Sequence, residues 1–447
     1  MLENPQLRIF KPLVAMKKLK INMKKLIVIV VLLITSIAYS QKLETEDWIT
    51  DLNFLKTELA KKHKNLFFKI SEQDFNQGIE NIIAQLDKDT DTETAIKLTQ
   101  LIAKIGDTHT NLSISHLTKK RKRIPLGFMW FKDGLYISGT NKNNYELLDK
   151  KILSINGHKT EIIIDSLKTL FVAENIGIIN ENTKRLLSSN TLLKYFGFSK
   201  PKDSIYELQI SDNNGNISTY KLNEIENSRK NSRNKTYIKV NAERPFYMNG
   251  SRKPFKEKYY ENEKIYFIQY NKCVSRETVE KYGNKELAYK QPSFKEFESK
   301  ILKTIKEKKI DKLIFDMRFN KGGSSFLAEN LIKQIAKNKK INTKGKLFVV
   351  VGNKTFSSAI FNTIDFKENT NAIIIGEKTG GKPNHYGNIK RFTLPYSKIK
   401  VVYSQNFYKL IESNEKTITP EYIIERTYDD FKNGIDPIFE WVNNYKK

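Results

Sequence analysis

One cysteine, Cys273, occurs in 447 residues. That excludes an internal disulfide and any metal site built on cysteine thiolates. A lone cysteine beside a strand-like apolar run is a packing residue before it is a reagent. Acidic side chains are also in short supply: 50 Asp and Glu face 78 Lys and Arg, for a formal net charge of +28. The lysines are nevertheless dispersed among Asp, Glu and Asn, with no arginine-rich block, no zinc-finger spacing and no RNP-like strand. Such a pattern describes a basic, solvated surface with affinity for anionic lipid or polymer, and argues against nucleic acid as the partner. The histidines at 63, 116, 158 and 385 lack metal-ligand spacing, so neither a metal nor a cofactor is expected. Apolar content is ordinary, and the length leaves room for two to three domains with a sizeable core.

No apolar run reaches the roughly 20 residues of a comfortable membrane span. The run at 26–37 follows Met23-Lys24-Lys25 and precedes Ala38-Tyr39-Ser40, with small residues flanking a cut before Gln41. Positive region, short apolar core and small-residue cleavage site predict a signal peptide over 1–40, with Met16 or Met23 as alternative starts. Export to the periplasm or the exterior is expected, an uncleaved membrane anchor being the lesser alternative.

Four regions follow. Residues 41–120 have helical periodicity, with Trp48, Leu52, Leu55 and Leu59, then Phe75, Ile79, Ile82 and Leu86, then Ala95, Leu98, Leu101 and Ile102. Thr90 and Glu93 have capping-box spacing. Residues 121–225 switch to short β-type runs with turn residues, including a hairpin around Asp212-Asn213-Asn214-Gly215. Residues 226–262 are polar and poorly patterned, and read as a linker. Residues 263–447 alternate strand and helix, which predicts a mainly parallel core with crossover helices. In such sheets ligands bind beyond the carboxyl ends of the strands.

Two loops in that last region sit at such ends. One is Arg318-Phe-Asn-Lys-Gly322-Gly323; the other holds Ser357-Ser358, where a serine is equally a helix cap or an exposed nucleophile. Together with Gly106-Asp-Thr-His-Thr110 and Gly376-Glu-Lys-Thr-Gly-Gly-Lys382 they form an ordered set: D-x-H-T, D-x-R-x-N-x-G-G, T-x-S-S-A and G-E-x-T-G-G. The set resembles the S41 peptidases, the family of C-terminal (tail-specific) processing proteases and the tricorn core. The similarity extends over nearly all of residues 44–447.

The resemblance implies an α/β fold: a ClpP/crotonase-like catalytic core with an N-terminal helical region and a PDZ-like domain. It implies Ser357 as nucleophile, with an oxyanion hole drawn from the Ser358 N–H and from Gly322 or Gly323. For the base it offers two branches. Lys382, 25 residues after Ser357, matches the processing-protease lysine, and is narrowly preferred. His109 matches the tricorn-like histidine, with Glu412 or Glu415 as its orienter. Leu126-Gly127-Phe128 resembles the loop that captures a peptide carboxylate in PDZ domains, although Pro125 removes one amide donor. The activity implied is that of an exported serine endopeptidase acting on extended or C-terminal protein segments. Its partners would be protein or peptide substrates, with association to an envelope or membrane surface through the basic charge. A non-catalytic peptide or apolar-ligand binding protein on the same fold is the alternative.

Overall fold

The computed structural model describes residues 43–118, 122–226, 231 and 235–446. The expected signal peptide lies outside the described residues. The fold described is that of the unit that begins at Thr45. Among the described residues no helix is long and apolar enough to cross a membrane.

Three helices open the chain, Thr45–Lys62, Glu72–Ile83 and Asp91–Lys104. The third begins with a complete Thr90–Glu93 capping box, as the spacing predicts. Next comes a β-rich module. Its sheet runs in the order Lys235–Tyr237, Gly134–Asn141, Lys151–Ile155, Ile205–Ser211, Ile217–Asn223, with Gly127–Phe131 paired to Gly134–Asn141. The predicted hairpin is present, in register from Ile205–Asn223 to Ser211–Ile217. Helices Thr160–Leu167, Ile176–Leu186 and Asn190–Tyr195 belong to the same part of the chain. Ile137, Ile155, Leu167, Leu193 and Leu208 meet in its core.

The last part holds a six-stranded sheet ordered Phe255–Tyr260, Ile265–Tyr270, Lys312–Asp316, Leu347–Val351, Ile373–Gly376, Tyr422–Ile423. Only the first pair is antiparallel. Helices Phe294–Glu307, Glu329–Lys337 and Ser358–Asn369 make the crossovers. Strand alternation sorts the side chains between two cores. Leu313, Phe315 and Val349 pack with Ile301, Leu331 and Phe366 on the crossover side. Ile314, Phe348 and Val350 pack with Ile438 and Val442 of the closing helix Pro437–Asn444 on the other.

One sequence expectation needs correction. Residues 226–262 are not simply a linker: Lys235–Tyr237 extends the β-rich sheet and Phe255–Tyr260 is an edge strand of the core. An edge strand tolerates Lys256, Glu257 and Lys258 because one side faces water, which hides it from a search for apolar runs. The crossover helix that follows the Gly322-Gly323 turn starts only at Glu329. Ser324 and Ser325 are held instead by Cys273 and Asn362: the Ser324 N–H donates to the Cys273 carbonyl (2.8 Å), and Asn362 Nδ2 donates to the Ser325 carbonyl (3.1 Å).

Candidate active site

The strand Leu347–Val351 runs into a turn fixed by Thr355. Its hydroxyl donates to the Met317 carbonyl and accepts the Gly352 N–H, both at 2.9 Å. The Phe356 N–H donates to the Asn320 carbonyl (3.0 Å), and the Gly381 N–H to the Thr355 carbonyl (2.9 Å). Held from both sides, Ser357 adopts φ 54°, ψ −125° before the helix Ser358–Asn369 begins. A capping serine is extended and accepts an N–H of the first turn. Ser71 does so here, at φ −68° with the Asp74 N–H, whereas Ser357 makes no cap bond. A non-glycine residue in this region stores roughly 1–3 kcal/mol of strain. The turn therefore holds the Ser357 hydroxyl at the mouth of the sheet, as strained strand-to-helix turns do.

The neighbouring D-x-R-x-N-x-G-G loop is a scaffold of buried charges and amides. Asp316 accepts the Arg318 N–H (2.9 Å), and the Arg318 guanidinium forks onto Asp436 at 2.9 and 3.0 Å. Asp436 also caps the closing helix, which accounts for the Gly-Ile-Asp-Pro ending. Arg318→Met is expected to strand two buried carboxylates and to cost about 3–5 kcal/mol of unfolding free energy. Urea titration of the variant checks this; a loss below about 1 kcal/mol would contradict it.

Asn320 donates through Nδ2 to the Tyr270 carbonyl (2.9 Å) and accepts the Gly322 N–H on Oδ1 (2.9 Å). Gly322 sits at φ +96°, and a Cβ there would lie 2.8 Å from both Ser357 Cβ and the Ser358 nitrogen. Glycine is needed for closeness as much as for φ. Because its N–H is committed to Asn320, Gly322 has no amide to give a ligand. Among the described residues, the N–H groups of Gly323 and Ser358 have no acceptor in the chain. The Ser358 hydroxyl is taken up by the Gly323 carbonyl at 2.7 Å.

His109 arrives on a loop organised by Asp107. This buried carboxylate accepts the His109 N–H (2.9 Å), the Thr110 hydroxyl (2.6 Å) and the Ser404 hydroxyl (2.7 Å), and lies 3.1 Å from His63 Nε2. Burial alone would raise its pKa, but these bonds outweigh burial and hold it at about 2. A depressed carboxyl stabilises the fold above its unfolded value of about 3.9, and the contribution is lost as pH falls towards 2. Asp107→Asn is thus expected to flatten acid unfolding between about pH 4 and 2, read by circular dichroism.

The His109 ring lies 4.6 Å from the Phe356 ring and stacks on His385 at 5.5 Å. Both its nitrogens are buried without a hydrogen-bond partner, Nδ1 being 3.9 Å from Asp107 Oδ1. Burial lowers His109 to about 4, against the pull of Asp107 and with smaller pushes from His385 and Lys382. It is a neutral imidazole at pH 7. Lys382 is differently placed: its ammonium donates to Glu174 Oε2 at 2.7 Å, and the Glu174 side chain is only 7% exposed. Neither His109 nor Lys382 is hydrogen-bonded to Ser357 Oγ.

Other sequence candidates fall elsewhere. Glu412 and Glu415 are exposed, Glu412 pairing with Lys409. Leu126 and Phe128 are buried in the core of the β-rich module, and the Leu126 N–H donates to the Ile124 carbonyl. The next residues on that strand, Met129 and Trp130, line a cavity of about 530 Å³ between the module and the core. A second cavity, about 340 Å³, shares Ser251, Phe319 and Lys354 with it and reaches Gly322.

His63, Ser404, Glu174 and His385 were missed. Ser404 and His385 lie on the long hairpin of His385–Thr393 and Lys400–Tyr408, which pairs with Asn111–Ser113 just after the His109 loop. No short motif marks such a contact, since it depends on a register between segments almost 300 residues apart.

Residues 288–422 match the family model for peptidase family S41. Among solved structures, mature CPAF superimposes with a TM-score of 0.59 at 13% identity, covering 89% of this chain and 96% of that one. Mature CPAF complexed with lactacystin gives 0.59 at 14% identity, covering 89% and 98%. No curated protein sequence matches the chain.

Proposed function

From a chain that belongs to the serine peptidases of family S41, we propose an endopeptidase in which Ser357 attacks the peptide carbonyl and His109, rather than Lys382, takes the proton. The observation that carries this reading is the uncapped, strained Ser357 one residue after Phe356, whose ring lies 4.6 Å from a buried His109 ring with both nitrogens unpartnered. A serine hydroxyl needs a neutral base in reach, and bases that look loosely placed in a free enzyme tighten on substrate. Lys382, occupied by Glu174, is a poor acceptor; its positive charge instead helps keep His109 neutral.

Ser357 Oγ bonds to the scissile carbonyl carbon as its proton passes to the imidazole. Negative charge on the carbonyl oxygen is met by the N–H groups of Ser358 and Gly323, which need not reorient. The imidazolium, stabilised by Asp107 from the Nδ1 side, protonates the leaving amine. Water then attacks the acyl-serine by the same route in reverse and releases the new carboxylate.

Incubation with unfolded casein followed by mass spectrometry tests the activity: new internal fragments are expected, and an intact substrate from pH 5 to 9 would refute it. Gly322→Ala should cut kcat/KM by about 100-fold, because its Cβ displaces the Ser357 turn by a fraction of an ångström or more. Unchanged kinetics would show that the Gly322–Ser357 contact is irrelevant. We also propose export, on the strength of the residue 23–41 pattern. A mature N-terminus at Gln41 is the expected sequencing result, and retention of residues 24–40 would contradict it.

A further inference from the structure

We propose that the cavity between the β-rich module and the core is a subsite for an acidic side chain of the peptide substrate, recognised by Lys354 and Arg426. This rests on the peptidase reading above. Four cations that are not wholly exposed line the cavity: Lys184, Arg318, Lys354 and Arg426. Two are already neutralised. Arg318 is forked onto Asp436 and paired with Asp316, and Lys184 is paired with Glu181. Glu181 is further shared with Lys321 at 3.4 Å, and its charge acts on Lys354 without an ion-pair contact.

Lys354 and Arg426 are in a different state. Among the described residues no carboxylate comes within ion-pair distance of either. Arg426 donates only to the Tyr247 hydroxyl (2.7 Å) and to Met129 Sδ (3.4 Å), with its guanidinium 5.1 Å from the Phe131 ring and 5.0 Å from that of Phe431. Lys354 is placed over the Phe319 ring at 5.0 Å. Glu377 lines the same cavity, but it accepts the Asn353 N–H, and burial raises its pKa towards the neutral acid.

Desolvated cations with no carboxylate in contact are costly, and a ligand carboxylate relieves that cost with charge-assisted bonds. Aromatic rings around them hold the charges without quenching them. The position also suits a substrate. Lys354 is three residues before Ser357 and borders both cavities, the second of which reaches Gly322. An extended chain with its carbonyl at Ser357 can therefore drop a neighbouring side chain towards Lys354. The formal charge of +28 adds long-range attraction for acidic segments.

Binding is measured on the full chain carrying Ser357→Ala, so that hydrolysis plays no part in the readout. Three fluorescein-labelled dodecapeptide pools are compared by fluorescence polarisation: one with Glu at a single varied position, one with Gln there, both C-amidated, and the Gln pool with a free C-terminal acid. The amidated Glu pool should bind about tenfold tighter than the amidated Gln pool, the worth of one charge-assisted contact. Adding Lys354→Gln should reduce that ratio to below about threefold while the thermal midpoint holds; Arg426→Gln is the second variant. Equal binding of all pools, or a ratio unmoved by Lys354→Gln, overturns the proposal. Tight binding of only the free-acid pool would assign the cavity to a chain terminus and overturn it too. A protein that binds the Glu pool by way of Lys354 but cleaves no peptide would keep the subsite and sink the peptidase reading.

Discussion

Ser357→Ala is expected to lower kcat/KM on a peptide substrate by at least about 10⁴-fold while leaving the fold intact. The size follows from what goes missing: without the nucleophile, only positioning and the amide donors at Ser358 and Gly323 remain, and those alone recover a small part of the rate. Stability should separate a functional serine from a structural one. Loss of a capping serine costs about 1 kcal/mol. Ser357 makes no such bond and sits at φ 54°. Ser357→Gly should therefore be inactive yet more stable than the parent by about 1 kcal/mol, since glycine occupies that region without strain. Thermal melts of the two variants beside their kinetics settle the point; a destabilised Ser357→Gly would return the residue to the role of cap. Ser358→Ala is the companion control. Its hydroxyl is tied to the Gly323 carbonyl and only its N–H is invoked, so activity should fall far less.

His109→Ala should be nearly as damaging, whereas Lys382→Met should leave substantial activity and shift its pH dependence. The direction follows from the charges around the imidazole. Burial places the His109 pKa at about 4, with Lys382 among the charges that hold it down. Only the neutral ring accepts a proton, so kcat/KM should rise with pH through about 4 and be flat above about 6. Removing the Lys382 charge lets the His109 pKa rise, which moves the acid limb to higher pH. Were Lys382 the base, Lys382→Met would abolish activity at every pH rather than shift the limb. The same group affects stability. An unfolded histidine takes up its proton near pH 6.5, before the folded one does, so the contribution of neutral His109 is present above about 6.5 and is lost as pH falls towards 4. His109→Ala should thus be less acid-sensitive than the parent over that window.

Much of the core could be read from the chain because its signals are local. Five buried residues in a row at Leu347–Val351, glycine turns after them and periodic helices between them are written within a dozen residues each. The edge strand Phe255–Tyr260 escaped because charge at a sheet edge looks like linker composition. Ser357, Gly322 and His109 were legible as motif positions, but their grouping could only be inferred from a resemblance. The proposed choice of His109 over Lys382 was not legible at all. It depends on Glu174, a residue in the β-rich part of the chain that reaches 208 positions along to hold the lysine. It depends equally on Asp107, which gathers His63, Thr110 and Ser404 from three segments to fix the histidine loop. The carboxylate loop expected at Leu126-Gly127-Phe128 has the right residue types, yet alternation along the strand sends Phe128 into the core and turns Met129 towards the cavity. The proposed preference for acidic substrate residues is likewise hidden, because nothing in a sequence distinguishes a lysine in contact with a carboxylate from one that is not.

Labelling with a fluorophosphonate, followed by mass spectrometry of the adduct, tests the central claim most directly. Such a reagent phosphonylates a serine only where a base removes its proton and amide donors hold the oxygen. The account predicts one adduct per chain on Ser357, lost in His109→Ala and retained in Lys382→Met. An adduct on Ser358, or labelling that survives His109→Ala but vanishes in Lys382→Met, would contradict it.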